Sequence, residues 1–207
     1  TKQMKQLIPT NNYEAYKKRQ WKDIDRLYEL KLFSKHVDII SKLPLNKKVY
    51  HEHKVLCIGA RFGVEVDVFK QIGFHNITAI DIYPRSESVI EADMHNLPFA
   101  DNSFDIIYTH HSLDHSLFPE KAVEEMYRVS KQSAVWIHSI PFNDYGEEEA
   151  IDFDSSNEII TFFEKHTEEI IYKQEVFRKE NGFIVPLGFC LPEGWKNELR
   201  IILRIEK

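Results

Sequence analysis

The chain has 207 residues, 43% of them hydrophobic, and a formal net charge of −6. This length fits one domain better than two, and the hydrophobic content suffices for a substantial core, which excludes disorder of the whole chain. The negative charge argues against a general nucleic-acid-binding protein, since such proteins need a basic surface to displace counterions. We therefore predict a single folded domain with no clear nucleic-acid binding.

No feature of the sequence points to secretion or to a membrane. Residues 1–10 are polar and lack the apolar stretch of a signal peptide. No run approaches the ~20 apolar residues of a membrane span. The two cysteines, Cys57 and Cys190, are far apart and form neither a zinc-binding spacing nor a disulfide framework. We expect a soluble, cytoplasmic protein without a membrane partner, and the sequence leaves its oligomeric state open.

The N-terminal part, residues 1–48, is predicted to be a helical lid or cap on a core that spans residues 53–207. Apolar residues recur at helical spacings of three and four, with basic residues between them, at Ile24, Leu27, Tyr28 and Leu32. A second short helix is predicted over residues 33–43. It should end before Pro44, because the residue that precedes a proline disfavours the helical conformation.

Residues 53–141 alternate between strand-like and helix-like patterns. Strands are predicted at residues 54–58, 77–81, 88–91, 104–108 and 133–139, and helices at 64–72 and 119–129. Strands that alternate with helices form a parallel sheet with right-handed crossovers. The pattern therefore predicts an α/β fold with a Rossmann-like, doubly wound sheet.

The last third of the chain departs from this alternation. A helix is predicted to begin near Ser155, which has the capping-box spacing with Glu158. Strands are predicted at residues 169–177 and 199–205, and only a stretch rich in glycine and proline separates them. A parallel pair would need a crossover helix, so we predict that these two strands are antiparallel neighbours.

The first predicted strand leads into the loop Gly-Ala-Arg-Phe-Gly at residues 59–63, just before a helix. Open α/β sheets bind ligands at the carboxyl ends of their strands. Glycine lets the backbone turn sharply and approach a ligand closely. Asp81 ends the second predicted strand, where a carboxylate can accept two hydrogen bonds from a ribose diol. We therefore predict a nucleotide-like ligand, either a nicotinamide cofactor or S-adenosylmethionine.

A downstream segment favours S-adenosylmethionine. Residues 97–105 read Leu-Pro-Phe-Ala-Asp-Asn-Ser-Phe-Asp and lead into the fourth predicted strand. Together with the glycine loop and Asp81, this run resembles the class I S-adenosylmethionine-dependent methyltransferases, which implies a seven-stranded, mostly parallel sheet with the last strand antiparallel. A nicotinamide site instead expects G-x-G-x-x-G, and the chain has Arg61 and Val64 where that pattern has glycines.

The resemblance also implies which residues hold the cofactor. The glycine loop would lie under its methionine portion, the acid after the second strand would bind the ribose, and the acid near the third strand would accept from the adenine amino group. Residues next to these acids would contact the adenine ring. The cofactor-binding set so implied is Gly59, Ala60, Arg61, Gly63, Asp81, Ile82, Asp93, Met94 and Thr109.

A histidine-rich segment follows the fourth predicted strand. Imidazole titrates near neutrality and can remove a proton from a methyl acceptor, so the candidate catalytic residues are His110, His111 and His115. Packing or capping roles are the alternative for each. A metal site at His111 and His115, with Asp114 nearby, lacks a clear third ligand, so we predict no metal.

Two residues depart from the family pattern. Cys57 stands where the first strand usually carries an acid, and Arg61 stands at the usual middle glycine of the loop. Two hypotheses therefore remain: an enzyme that methylates a small molecule or a protein side chain, and a methyltransferase-like module that binds without catalysis. The chain lacks a segment of the Asn-Pro-Pro-Tyr type after the fourth strand, which argues against methylation of nucleic-acid bases. The acceptor substrate stays unknown.

Overall fold

The structure of the protein, a computed structural model, describes residues 5–6, 33, 35–44, 47–142, 151–179, 184–185 and 195–207. The strands are β1 (Lys5–Gln6), β2 (Lys54–Ile58), β3 (Asn76–Asp81), β4 (Ile90–Glu91), β5 (Phe104–His110), β6 (Ser130–Phe142), β7 (Ile151–Asp152), β8 (Thr167–Lys179), β9 (Ile184–Val185) and β10 (Trp195–Ile205). The helices are α1 (Val64–Ile72), α2 (Pro119–Val129) and α3 (Ser156–Phe163), with further helical residues at 35–40 and 3-10 turns at Lys47–Glu52 and Glu164–His166.

One large sheet organises the fold, in the strand order β4-β3-β2-β5-β6-β10-β8-β9. The first five of these strands are parallel, whereas β10 runs antiparallel to both β6 and β8. This confirms the predicted Rossmann-like α/β fold with its last strand antiparallel. The two-residue β9 adds an edge beyond the seven expected strands, and β1 pairs separately with β7.

Most predicted elements are observed, with shifts at their ends. Helices α1 and α2 have the predicted bounds, and the predicted strand at 88–91 contracts to two residues that pair only with β3. Strand β6 is longer than predicted because β5 and β10 pair with it along both edges. The predicted helix around residues 24–32 lies outside the described residues. Of the second predicted helix, residues 35–40 are helical, and the chain turns before Pro44.

Each face of the sheet carries its own apolar core. Leu56 and Trp136 pack on one face together with α2 and α3. Val55, Cys57 and Tyr108 pack on the other face, together with α1 and the helical residues 35–40. Because successive strand residues point to opposite faces, every strand of the sheet centre contributes to both cores. Among the described helices, none combines the length and the apolar character needed to cross a bilayer.

The run at residues 97–105 is held in place by Arg128 of α2. Its guanidinium donates to the carbonyl oxygens of Leu97 (2.9 Å) and Phe99 (2.7 Å) and to the carboxylates of Asp101 and Glu125 (2.8 Å each). Glu125 in turn accepts the Leu97 N–H at 2.7 Å. The hydrogen bonds with Glu125, followed by the one with Asp101, raise the pKa of Arg128. The run that resembles the methyltransferase family thus connects β4 to β5 and is fixed in position by its hydrogen bonds to α2.

A buried histidine lies on the α3 side of the sheet. His138 is fully buried, its Nδ1 lies 2.7 Å from the Thr109 hydroxyl, and its ring stacks on Phe163 at 4.5 Å. Burial lowers the pKa of His138 from 6.5 to about 3. The unfolded chain therefore takes up a proton at this residue between those two values, and the folded chain does not.

We accordingly expect the protein to lose stability as the pH falls from 7 to 5. The contribution of His138 to this loss is about 2 kcal/mol, because stability decreases as the pH is lowered wherever the unfolded state binds more protons than the folded state. Urea unfolding at both pH values, in the wild type and in His138→Gln, measures it. The variant should lose correspondingly less than the wild type; equal losses would contradict the assignment.

The conformation of Gly59, which directly follows β2, leads to a second prediction. Gly59 has a φ of +79°, and a β-carbon there would lie 2.3 Å from the Ser112 β-carbon. Gly59→Ala should lower the free energy of unfolding by about 1–2 kcal/mol for the left-handed backbone and by about 1–3 kcal/mol more for overpacking. Gly73→Ala is the matched control, since Gly73 has a φ of +112° but nothing within 4 Å. If urea unfolding shows that both variants lose the same free energy of unfolding, overpacking against Ser112 does not contribute.

Candidate functional site

One face of the sheet changes from apolar to polar toward the carboxyl ends of β5 and β6. The apolar part includes Ile106, Val135, Ile137 and Ile202, and the polar part consists of His110, Ser139, Glu198 and Arg200. In the sheet register His110 lies opposite Ser139, and Ser139 lies opposite Arg200. We call these four residues the polar row. It lies at the edge where sheets of this type bind ligands.

His111 joins the polar row through an unusual backbone conformation. Its φ is +48°, in the left-handed region, whereas neighbouring residues of a regular strand would point to opposite faces. Its N–H donates to the Ser139 carbonyl at 2.9 Å, and its Nε2 lies 3.1 Å from the Glu198 Oε2. A left-handed residue other than glycine costs about 1–2 kcal/mol, and such residues cluster at functional sites.

Glu198 is the central charged group of the site and is 1% exposed. Its Oε1 accepts from the Arg200 Nε at 2.9 Å and from the Ser139 hydroxyl. Arg200 also pairs with Asp38, which lies in the helical residues 35–40. Burial lowers the pKa of Arg200, and Asp38 opposes this effect. These contacts fix the Glu198 carboxylate beside His111.

Glu198 and Arg200 were missed by the sequence analysis. The last strand was predicted to begin at Leu199, which left Glu198 outside it. The available signal was an alternation of charged and apolar residues from 198 to 201, which is typical of a strand with one polar face. That pattern does not reveal which strands lie beside it.

The loop after β5 packs directly on the glycine loop after β2. The Ser112 hydroxyl donates to the Ile58 carbonyl at 2.9 Å, and Gly59 leaves room for the Ser112 side chain. Gly63 is similarly tight, because a β-carbon there would lie 2.6 Å from the Ser88 hydroxyl oxygen. The histidines at the end of β5 therefore lie next to the predicted cofactor loop.

The predicted ribose-binding acid is in a suitable position. Asp81 ends β3 and is 6% exposed; its Oδ2 accepts the Arg61 N–H at 3.1 Å and its Oδ1 accepts the Tyr83 N–H at 2.7 Å. A carboxylate has about four acceptor sites, so these bonds orient it and leave capacity for a ribose diol. Ala60 is a buried residue of the glycine loop, and its N–H donates to the Ile80 carbonyl at 3.0 Å.

Arg61 fits the loop without a glycine-like conformation. The described residues other than glycine that have a positive φ are Asn102, His111 and Ser133. Arg61 therefore has a negative φ. Its backbone is instead fastened on both sides, through the bond to Asp81 and by accepting the Arg85 N–H at 2.7 Å. The departure from the family pattern therefore leaves the backbone path of the loop unstrained.

Cys57 replaces the usual acid of the first strand and lies buried in the core. Burial raises the pKa of its thiol well above the ordinary value, and the nearby carboxylate of Glu65 raises it further. A protonated, buried thiol is a poor nucleophile. Glu65 lies in the first turn of α1 and is itself buried, so an acid is present close to the position where the family has one.

The predicted adenine-binding acid is held by a histidine that the sequence analysis did not select. The Asp93 Oδ1 accepts the His95 backbone N–H at 2.9 Å, and the His95 Nδ1 lies 2.6 Å from the same oxygen. On the far side, the His95 Nε2 accepts the Phe118 N–H at 3.3 Å and lies 2.8 Å from the Ser116 hydroxyl. Because Nε2 accepts, Nδ1 carries the proton and donates to Asp93.

This pairing affects the charge of Asp93. Burial raises the pKa of its carboxyl, but the hydrogen bonds from His95 outweigh burial and the pKa is lowered. His95 is 4% exposed and bridges Asp93 to the segment that follows β5. It is therefore a positioning residue for the carboxylate. A histidine two residues after the acid was the signal in the sequence.

The remaining predicted site residues lie in different surroundings. Ile82 and Met94 are partly buried and pack against the core on the α2 side. Thr109 is 1% exposed and bonds to His138, on the face opposite to His110. The His115 Nε2 lies 3.7 Å from the Asp114 carboxylate. The structure thus brings together His110 and His111 with Glu198, whereas Thr109 points to the opposite face of the sheet.

Comparison with known proteins supports the resemblance drawn from the sequence. Residues 56–138 match the methyltransferase domain family. A structure of the Trm112 methyltransferase activator of Haloferax volcanii in complex with a methyltransferase contains a chain that is 13% identical to this one. Its TM-score is 0.65, over 93% of this chain and 98% of its own. No curated protein is significantly similar in sequence.

Two other solved structures share the fold. A S-adenosylmethionine-dependent methyltransferase of Thermotoga maritima, described as a possible histamine N-methyltransferase, is 17% identical, with a TM-score of 0.60 over 96% of this chain and 98% of its own. The [4+2]-cyclase SpnF is 18% identical, with a TM-score of 0.51 over 62% of this chain and 58% of its own. Residues 56–138 thus match a methyltransferase domain, and the chain shares its fold with solved S-adenosylmethionine-dependent methyltransferases.

His95 allows a test of the adenine-binding role of Asp93. His95→Asn should lower the affinity for S-adenosylhomocysteine roughly five-fold, since a lost hydrogen bond costs about 1 kcal/mol. The pKa of the Asp93 carboxyl, followed by NMR, should rise, because the variant loses the side-chain hydrogen bond that opposes the effect of burial and keeps only the one from the backbone N–H. His75→Asn, at an exposed histidine, is the control. An unchanged pKa and affinity in His95→Asn would contradict the positioning role.

Proposed function

We propose that this chain methylates a small molecule or a protein side chain that docks against the polar row. The observation that carries the proposal is the distance of 3.1 Å between the His111 Nε2 and the Glu198 Oε2. A carboxylate beside an imidazole favours the protonated ring. The pair is therefore suited to take up the proton that an acceptor hydroxyl or amine loses as it becomes a nucleophile.

The cofactor half of the site fits the expected group. When bound, S-adenosylmethionine supplies an electrophilic methyl group on a positively charged sulfur and leaves as S-adenosylhomocysteine. Gly59 and Gly63 let the loop pack closely against Ser112 and Ser88, which fixes its position, while Asp81 would present an oriented carboxylate to the ribose and Asp93 one to the adenine amino group. The contact between Gly59 and Ser112 places the histidines after β5 next to this loop.

The surroundings of Glu198 support its role as an orienting group rather than a base. Its Oε1 is engaged by Arg200 and Ser139, so that Oε2 is the oxygen that faces His111. Arg200 favours the ionised carboxylate. Glu198 would therefore hold the imidazole in one orientation and stabilise its positive charge after it has accepted a proton, as a carboxylate does for histidine in other enzymes.

A methyltransferase-like binding module is the second candidate. Cys57 favours it, since this neutral, buried thiol replaces the acid usual in the first strand. The likeness to a [4+2]-cyclase illustrates that the same fold serves other chemistry. This candidate shares the cofactor loop and differs in predicting no turnover.

Calorimetric titration with S-adenosylhomocysteine and with NADH tests the cofactor half. We expect one equivalent of S-adenosylhomocysteine to bind and NADH not to bind. Asp81→Ala should weaken binding by about 1–3 kcal/mol through loss of charged hydrogen bonds. Asp67→Ala is the matched control, because Asp67 is an exposed acid of α1. Absence of S-adenosylhomocysteine binding to the wild type would overturn the proposal.

Turnover separates the two candidates. The protein is incubated with S-adenosylmethionine and with fractions of a cell extract, and the release of S-adenosylhomocysteine is measured. His111→Asn should lower the rate by about 10²–10⁴-fold, as expected for loss of a general base, and leave S-adenosylhomocysteine affinity unchanged. Binding without turnover on any fraction would favour the binding module.

A further inference from the structure

We infer that His110, His111 and Glu198 form a binding site for one divalent transition-metal ion on the acceptor side of the domain. Their donor atoms all lie within 4.8 Å of one another, and His110 and Glu198 are buried while His111 is partly exposed. Among the described residues this is the group of histidine and acidic side chains that could hold an ion. The inference rests on the proposed function for the role of the ion, whereas binding itself rests on this geometry.

The spacing of the donor atoms suits a metal ion. Bonds of about 2.0–2.2 Å from zinc to nitrogen and oxygen place neighbouring ligand atoms about 3.4 Å apart in a tetrahedral site. The His111 Nε2 and the Glu198 Oε2 are already 3.1 Å apart. The His110 and His111 rings lie 4.6 Å apart between centroids, and the donor atom of His110 lies within 4.8 Å of those of His111 and Glu198.

The backbone at His111 makes this arrangement feasible. Consecutive residues of a strand point to opposite faces, so two adjacent histidines do not normally share a ligand. The left-handed φ of +48° at His111 turns its side chain toward the same side as His110. The cost of this conformation is offset where the two imidazoles act together.

The donor types select the class of metal. Two imidazoles and one carboxylate suit zinc or ferrous iron, whereas magnesium and calcium prefer oxygen ligands. Three protein ligands also leave positions open for water or a substrate, as in catalytic rather than structural sites. The sequence analysis considered a different pair, His111 and His115, and found no clear third ligand. In the structure His111 lies instead with His110 and with Glu198, which reaches it from a strand 87 positions away in the chain.

The hydrogen bonds that Glu198 accepts are those expected of a carboxylate that binds a metal ion. Arg200 and Ser139 bind the Oε1 of Glu198, and hydrogen bonds of this kind orient ligating carboxylates. Glu198 and Asp38 carry two negative charges and Arg200 carries one positive charge, so the group has a net charge of −1 when its histidines are neutral. A divalent cation is therefore attracted despite the nearby guanidinium.

An ion at this position would specify the acceptor more narrowly. A bound divalent cation acts as a Lewis acid and lowers the pKa of a coordinated hydroxyl. The acceptor class would then be a hydroxyl compound whose oxygen reaches the ion. The ion and a proton compete for the His111 Nε2, so the ion would replace His111 as the group that activates the acceptor.

The test uses the full chain without a histidine tag, stripped with EDTA. It is titrated with Zn²⁺ by calorimetry and with Co²⁺ by visible absorption. We expect one ion per chain, at least ten-fold weaker binding in Glu198→Gln and in His110→Asn, and unchanged binding in His75→Asn, in line with the usual cost of losing a ligand's support. Mg²⁺ should not compete.

Three outcomes would overturn the inference: no saturable binding to the wild type, binding in both ligand variants that is as strong as in the wild type, or loss of binding in His115→Asn but not in Glu198→Gln. If Glu198→Gln does not fold, His110→Asn decides. Binding of S-adenosylhomocysteine without binding of Zn²⁺ overturns the metal site and leaves the proposed function. Binding of Zn²⁺ without S-adenosylhomocysteine overturns the proposed function and leaves the metal site.

Discussion

A close contact between Gly59 and Ser112 determines where the two halves of the site meet. The Ser112 side chain occupies the space that a β-carbon at residue 59 would need, and its hydroxyl donates to the Ile58 carbonyl. The loop after β2, which carries the glycines predicted to bind the cofactor, is thereby fixed against the loop that begins at His111, directly after His110 at the end of β5. Neither loop can shift without breaking this contact.

The antiparallel last strand supplies the charge of the acceptor half. Because β10 runs opposite to β6, residues at its beginning lie beside the carboxyl end of β6: Glu198 pairs in register with Pro141, and Arg200 with Ser139. A parallel strand would place its first residues at the opposite edge of the sheet. The reversal of direction thus delivers a buried carboxylate from the end of the chain to histidines near its middle.

Local sequence signals predicted the elements but not the pairings between them. Gly63 precedes α1 and Gly73 follows it, and both have a positive φ, which glycine adopts readily. Because glycine marks such positions in the sequence, α1 was predicted with its observed ends. The family resemblance implied that Thr109, which follows the fourth predicted strand, approaches the cofactor, yet β5 extends through Thr109 and alternation along the strand points this residue at His138. Glu198 could not be placed, since its role depends on the register of strands far apart in sequence.

The two halves of the site use different physical means, which explains why their functions can be inferred to different depths. The cofactor half depends on backbone geometry at the glycine loop and on carboxylates oriented by neighbouring N–H groups, features that short motifs encode. The proposed acceptor half depends on the buried pair of Glu198 and Arg200, which Asp38 joins from a partly exposed position. Removing one partner of such a buried pair is costly, whereas apolar residues of similar volume would often stabilise the sheet as well as the whole pair does. The pair is therefore weak evidence for stability, and we infer for this reason that the polar row serves the chemistry particular to this chain.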